Sequence, residues 1–198
     1  MPEIAFIMGK SSSGKDKIFK RLILDEQLQL NTIVMYTTRS MRQGESEGAE
    51  YHFVSDNTAD KMEAEGRIIE LRAYHTVHGI WKYFTLDDGQ IDINKGKYIV
   101  IGTLDAYEKF CNYYGKEHLM PIYIEVDDGI RLSRALEREK KQEQPKYAEM
   151  CRRFLADCID FSEENIANLG IDKRYFNNEQ LEDCIEEVKK DIIEKLTR

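Results

Sequence analysis

The stretch IAFIMGKSSSGKDKIFKRL, residues 4–22, decides the fold. Ile4–Met8 is an apolar run too short for a helix and bounded by Gly9, so it reads as a strand buried on both faces of a parallel sheet. Beyond Lys15, Ile18, Phe19, Leu22 and Ile23 recur at helical spacing and predict an amphipathic helix. Between the two, Gly9, Gly14 and Lys15 fit G-x-x-x-x-G-K-[ST] everywhere but at its last position, which is Asp16. A glycine-rich turn from strand to helix lets successive N–H groups converge on phosphate oxygens, and the helix N-terminus adds positive potential. Gly9, Ser11, Ser12, Ser13, Gly14, Lys15 and Asp16 are therefore the candidate cradle for the phosphates of a nucleoside triphosphate, with Lys15 reaching the outer ones. Asp16 stands where a hydroxyl usually meets Mg2+. Its carboxylate either binds the metal, directly or through water, or repels the phosphates when no metal intervenes.

Outward from this loop the chain reads as one α/β domain of 198 residues, long enough to bury its own core. A net charge of -8 without a basic tail argues against nucleic acid as a partner, and the lack of a long apolar run argues against a membrane span. Cys111, Cys151, Cys158 and Cys184 form no C-x-x-C pair, and no signal segment precedes the first strand, which points to reduced thiols in the cytoplasm. Cys151 and Cys158, on one predicted helix, read as core packing.

NTIVMYTTR predicts a second strand, YHFVS another, and residues 58–65 a short helix. IIELRAYHTVHGIWKYFTL, rich in β-branched and aromatic residues with Gly79 in its turn, predicts a hairpin. KYIVIGTL and LMPIYIEV are two more buried strands, each followed by a helical pattern, as βα units on a parallel sheet require. From Asp127 two basic helices break near Pro145 and form a candidate lid, with Glu137 and Lys141 spaced for an ion pair. A short strand and a helix with Leu181, Ile185, Val188, Ile192 and Leu196 on one face end the chain.

Residues 36–55, YTTRSMRQGESEGAEYHFVS, carry a second set of phosphate donors. Arg39 and Arg42 lie three apart and offer bidentate N–H groups, and Tyr51 adds a hydroxyl. The pattern T-T-R-x-x-R-x-G-E-x-x-G-x-x-Y-x-F-V-S, complete here from Thr37 to Ser55, resembles the acceptor-binding signature of guanylate kinases, and the looser resemblance runs from residue 3 to about residue 160. It implies a P-loop NTPase fold with a parallel sheet core (1–32, 96–126 and 161–198), a β-rich NMP-binding insertion (33–95) and a helical lid (127–160). It also implies transfer of the ATP γ-phosphoryl to GMP or a related nucleotide, with Mg2+, by a monomer or homodimer. Arg39, Arg42 and Tyr51 would hold the GMP phosphate, and Glu70 would accept hydrogen bonds from the guanine edge. Tyr83 and Thr85 would complete the base pocket, and Arg134, Arg138 and Arg153 would close over the donor phosphates.

The chain departs from that pattern in three further places. TVHGIWKYFT stands where the family carries H-G-N-Y-Y-G-[TS], displaced by about three residues relative to Glu70. Gly102 and Thr103 stand where an acidic I-D-x-Q-G motif ends a strand, with Asp105 the nearest carboxylate, and Met35 replaces a common serine. An acid lost at the strand end and one gained at Asp16 leave a metal site of similar charge.

Overall fold

The computed structural model describes residues 2–42, 44–76 and 79–196. Ile4–Met8 (β1) lies at the centre of a five-stranded sheet because every one of its residues is apolar and both its faces are covered. Ile4, Phe6 and Met8 enter one core, while Ala5 and Ile7 enter the other. Such alternation between two apolar layers is what a strand between helices requires.

Tyr98–Ile101 (β7) and Leu119–Glu125 (β8) flank β1 in parallel, and Asn31–Thr32 (β2) and Arg174–Phe176 (β9) form the edges, giving the order β2-β7-β1-β8-β9. On one face Phe6 meets Tyr107 and Phe110 edge-on at 5.4 and 5.2 Å, and both belong to Leu104–Tyr114 (α3). On the other, Lys15–Ile23 (α1) and Leu181–Leu196 (α7) bury Ile18, Leu22, Ile185, Val188 and Ile192.

The second sheet has the order β4-β3-β6-β5, from Tyr36–Thr37 (β3), His52–Phe53 (β4), Ile68–Thr76 (β5) and Gly79–Leu86 (β6). Asp56–Ala64 (α2) covers it with Ala59 against Phe84 and Leu86. The β5–β6 hairpin forms as its composition predicts, but Gly79, expected in its turn, opens β6 opposite Thr76; residues 77 and 78 lie outside the described residues. Asp128–Lys140 (α4) and Tyr147–Asp160 (α5) follow β8 and break around Pro145, and Glu163–Asn168 (α6) follows them.

Three expectations need correction. NTIVMYTTR is two short strands in different sheets, because the chain crosses between them at residues 33–35. There the Gln90 side chain replaces a ladder partner, accepting from the Val34 N–H at 2.8 Å and donating to its carbonyl at 3.2 Å. Cys151 is exposed, not packed in the core, and Cys158 is half-buried beside Arg131. Glu137 pairs with Lys140 at 3.0 Å, one residue short of Lys141.

Candidate active site

The loop between β1 and α1 is shaped by what its glycines make room for. A Cβ on Gly9 would stand 2.6 Å from the Ile124 carbonyl oxygen, and one on Gly14, whose φ is +88°, would stand 2.5 Å from Asn177 Nδ2. Asn177 holds the loop from just beyond β9, its Nδ2 donating to the Ser13 carbonyl at 2.8 Å. The hydroxyls of Ser12 and Ser13 are buried without hydrogen-bond partners, and Ser13 is fully inaccessible. Unpaired donors of this kind are what an anion in the loop would satisfy.

Lys15 opens α1 behind these hydroxyls. Burial pushes its ammonium pKa down, Asp16 and Asp157 push it up, and the nearby charges of Arg153 and Arg138 push it down again. The lysine therefore sits among two carboxylates and two guanidinium groups contributed by three helices. Asp16 is exposed, and no group of three or more His, Cys, Asp or Glu is placed to hold a metal among the described residues. One free carboxylate beside a phosphate loop suits an ion that shares its ligands with substrate phosphates and water, as Mg2+ does.

Helices α4 and α5 close the loop from above. Ser11 is gripped three ways: its N–H donates to Asp157 Oδ2 at 2.7 Å, its carbonyl accepts from Arg131 Nη1 at 3.1 Å, and its hydroxyl faces Arg153 Nη2 at 3.4 Å. Arg138 and Arg153 line, with Ser11, Ser12, Lys146 and Phe154, a cleft of about 190 Å³. Arg134 turns aside, donating to the Asn178 carbonyl at 3.4 Å.

The second sheet carries the other cluster. Arg39 is buried at 3 % exposure and grips Glu45 with both terminal nitrogens, Nη1 at 2.9 Å and Nη2 at 2.8 Å, while its Nε is buried without a partner. That fork and the Arg42 N–H hold the Glu45 carboxyl down at about 2. The Arg42 side chain is exposed. Tyr51 stacks beside the Arg39 guanidinium at 5.5 Å, and burial pushes its hydroxyl pKa up. Tyr83 meets Tyr51 edge-on at 5.6 Å, and Thr85 donates to Glu70 Oε1 at 3.1 Å. Arg39, Tyr51, Tyr83, Thr85 and Glu70 are thus brought to one wall by β3, β5, β6 and the loop before β4.

Four residues of these clusters were not singled out from the sequence. Arg72 follows Glu70 by two on one strand, so period-two alternation could have found it. Arg131 lies seven residues before Arg138 on one helical face. Asp157 and Asn177 meet the loop across 146 and 164 positions of chain, and nothing local announces such contacts.

The family model for guanylate kinase matches residues 2–195. The guanylate kinase of Porphyromonas gingivalis is 24 % identical over the full length of both chains. The guanylate kinase of Schizosaccharomyces pombe is 39 % identical over 64 residues, 32 % of either chain. The crystal structure of guanylate kinase from Anaplasma phagocytophilum superposes with a TM-score of 0.65 at 19 % identity, covering 100 % of this chain and 87 % of that one, a likeness of fold. With its family model matched over residues 2–195, nearly its whole length, the chain belongs to the guanylate kinase family.

Proposed function

We propose that this protein is an ATP-dependent phosphotransferase that moves the γ-phosphoryl of ATP to GMP or dGMP, giving ADP and the nucleoside diphosphate. The observation that carries the reading is the pairing, in one chain of this family, of a phosphate loop with an arginine-rich sheet whose far end holds a carboxylate. Residues 1–32, 96–126 and 161–198 act as the core, 33–95 as the acceptor region and 127–160 as the lid. The setting proposed is the cytoplasm, with the protein a monomer or homodimer; no helix among the described residues is long and apolar enough to cross a membrane.

The loop N–H groups and Lys15 would bind the β- and γ-phosphates, and Arg138 and Arg153 would reach the same cleft from the lid. Arg39, Arg42 and Tyr51 would orient the acceptor phosphate in line with the γ-phosphorus, with Glu70, Tyr83 and Thr85 at the base. Mg2+, when bound by Asp16 and the nucleotide, would neutralise charge shared between the β- and γ-oxygens. Lid closure would exclude water and so suppress hydrolysis.

The test is ADP release with ATP and Mg2+, offering GMP, dGMP, IMP, AMP, CMP and UMP in turn, with Lys15→Ala as control. Turnover with GMP and dGMP, lost in the control, is expected. Calorimetric binding of GMP without turnover would mean the protein is a nucleotide-binding module.

A further inference from the structure

The cations of the lid sort by where their charge goes. Arg131, Lys140 and Arg152 each face a carboxylate of their own helix, Asp128 at 2.7 Å, Glu137 at 3.0 Å and Glu149 at 2.7 Å. Arg134 turns to the Asn178 carbonyl. Arg138 and Lys146 have no carboxylate within ion-pairing distance among the described residues, and Arg153 reaches the Ser11 hydroxyl. These last three line one cleft together with Ser11 and Ser12. Lys141, equally without a carboxylate partner among the described residues, does not line it.

Lys146 stands at the N-cap of α5, and its main chain is pinned across the turn of the lid, where its N–H donates to Glu139 Oε1 of α4. That bond leaves the ammonium unused. Two acids also border the cleft, but Glu139 takes the Lys146 N–H and Glu149 is held through both oxygens by the Arg152 fork, so neither pairs with the ammonium. A cleft lined by unpaired charges of one sign concentrates ions of the other. Its volume of about 190 Å³ lies below the roughly 300 Å³ at which pockets for whole small molecules begin, so it takes a phosphoryl group and not a base. The Ser12 hydroxyl, buried without a partner, offers such a group a donor from the loop side. An exposed lysine adds a point charge with three rotatable donors, which can follow phosphoryl oxygens as they move from donor to acceptor.

We propose that Lys146 is a third phosphate-contacting cation of the lid: with Arg138 and Arg153 it closes on the terminal phosphoryl group of the donor nucleotide, so that the lid favours a triphosphate over a diphosphate. This rests on the reading above, that ATP is the donor.

The test measures ATP, ADP and GMP affinity by calorimetry with Mg2+, and kcat with GMP, for the wild type, Lys146→Met, Lys146→Arg and Lys141→Met. Lys146→Met is expected to weaken ATP binding by about tenfold, one lost hydrogen bond to a charged group, and to lower kcat by a similar factor, with ADP and GMP affinity changed by less than about twofold. Lys146→Arg keeps the charge and should stay within about threefold of the wild type throughout. Lys141→Met should change nothing. Every one of these variants keeps the main-chain N–H that meets Glu139, and Lys146→Gln repeats the test should the methionine variant misfold. An equal loss of ATP and ADP affinity in Lys146→Met, an unchanged ATP affinity and kcat, or the same losses in Lys141→Met would overturn the proposal and leave phosphotransfer standing. A wild type that neither binds ATP nor turns over would sink the parent reading, and this one with it.

Discussion

At the scale of single residues, Glu45 decides how Arg39 is presented. A buried guanidinium needs a fixed partner, and Glu45 supplies it with both oxygens while also accepting the Arg42 N–H. The carboxyl pKa is depressed to about 2 from an ordinary 4.5, so this stabilisation is complete above pH 4.5 and is lost as the pH falls through about 2. Glu45→Gln is expected to lower the urea midpoint at pH 6, with the gap to wild type closing as the pH approaches 2. The same variant leaves Arg39 unanchored, and KM for the acceptor nucleotide should rise by about tenfold, the cost of a mispositioned binding group. An unchanged urea midpoint at pH 6 would mean that the fork contributes nothing to stability. The loop glycines were legible beforehand because a tight strand-to-helix turn is a matter of local backbone geometry. Glu45 stood inside a recognised signature, yet its grip on Arg39 is a side-chain contact that spacing alone does not reveal.

At the scale of elements, the lid is held by a residue that charge counting overlooks. Arg131 is 1 % exposed, lies 4.5 Å from the Phe154 ring, and links Asp128 of its own helix to Ser11 of the loop and Asp157 of α5. Arg131→Met is expected to speed amide exchange in α5 by about tenfold and to lower kcat/KM by a similar factor, since it leaves Asp157 without its buried cation. Arg134→Met should do much less, because among the described residues Arg134 donates only to the Asn178 carbonyl, at 3.4 Å. Equal exchange rates in the two variants would show that the lid is anchored elsewhere. The elements themselves were readable wherever burial is two-sided: β1, β7 and β8 are continuous apolar runs because helices cover both faces. NTIVMYTTR misled because an apolar run carries no mark of where a chain leaves one sheet for another. α6, six residues long, offers too few turns for a period to emerge.

At the scale of the whole molecule, the two sheets meet across an open gap. A cleft of about 550 Å³ separates Arg72 and Tyr74 of β5 from Thr103 and Asp105 at the start of α3, Asp160 at the end of α5 and Asn165 of α6. Lys109 crosses beside it, its ammonium donating to the Leu71 carbonyl at 3.2 Å. On the function proposed above, the donor cradle would belong to one sheet and the acceptor wall to the other, and in-line transfer would then narrow this gap. Each nucleotide that favours the narrowed form lowers the cost for the second, and the coupling is reciprocal. A non-hydrolysable ATP analogue is therefore expected to tighten GMP binding by about fivefold or more, and GMP should tighten the analogue by the same factor. Trp81, the sole tryptophan, lies on β6 opposite Tyr74, so its emission should report the change. Lys15→Ala, by weakening the donor's hold on the loop, should abolish the coupling while leaving GMP affinity alone unchanged. Independent binding of the two nucleotides in the wild type would mean that the sheets already stand at their working distance, and closure would then belong to the lid alone.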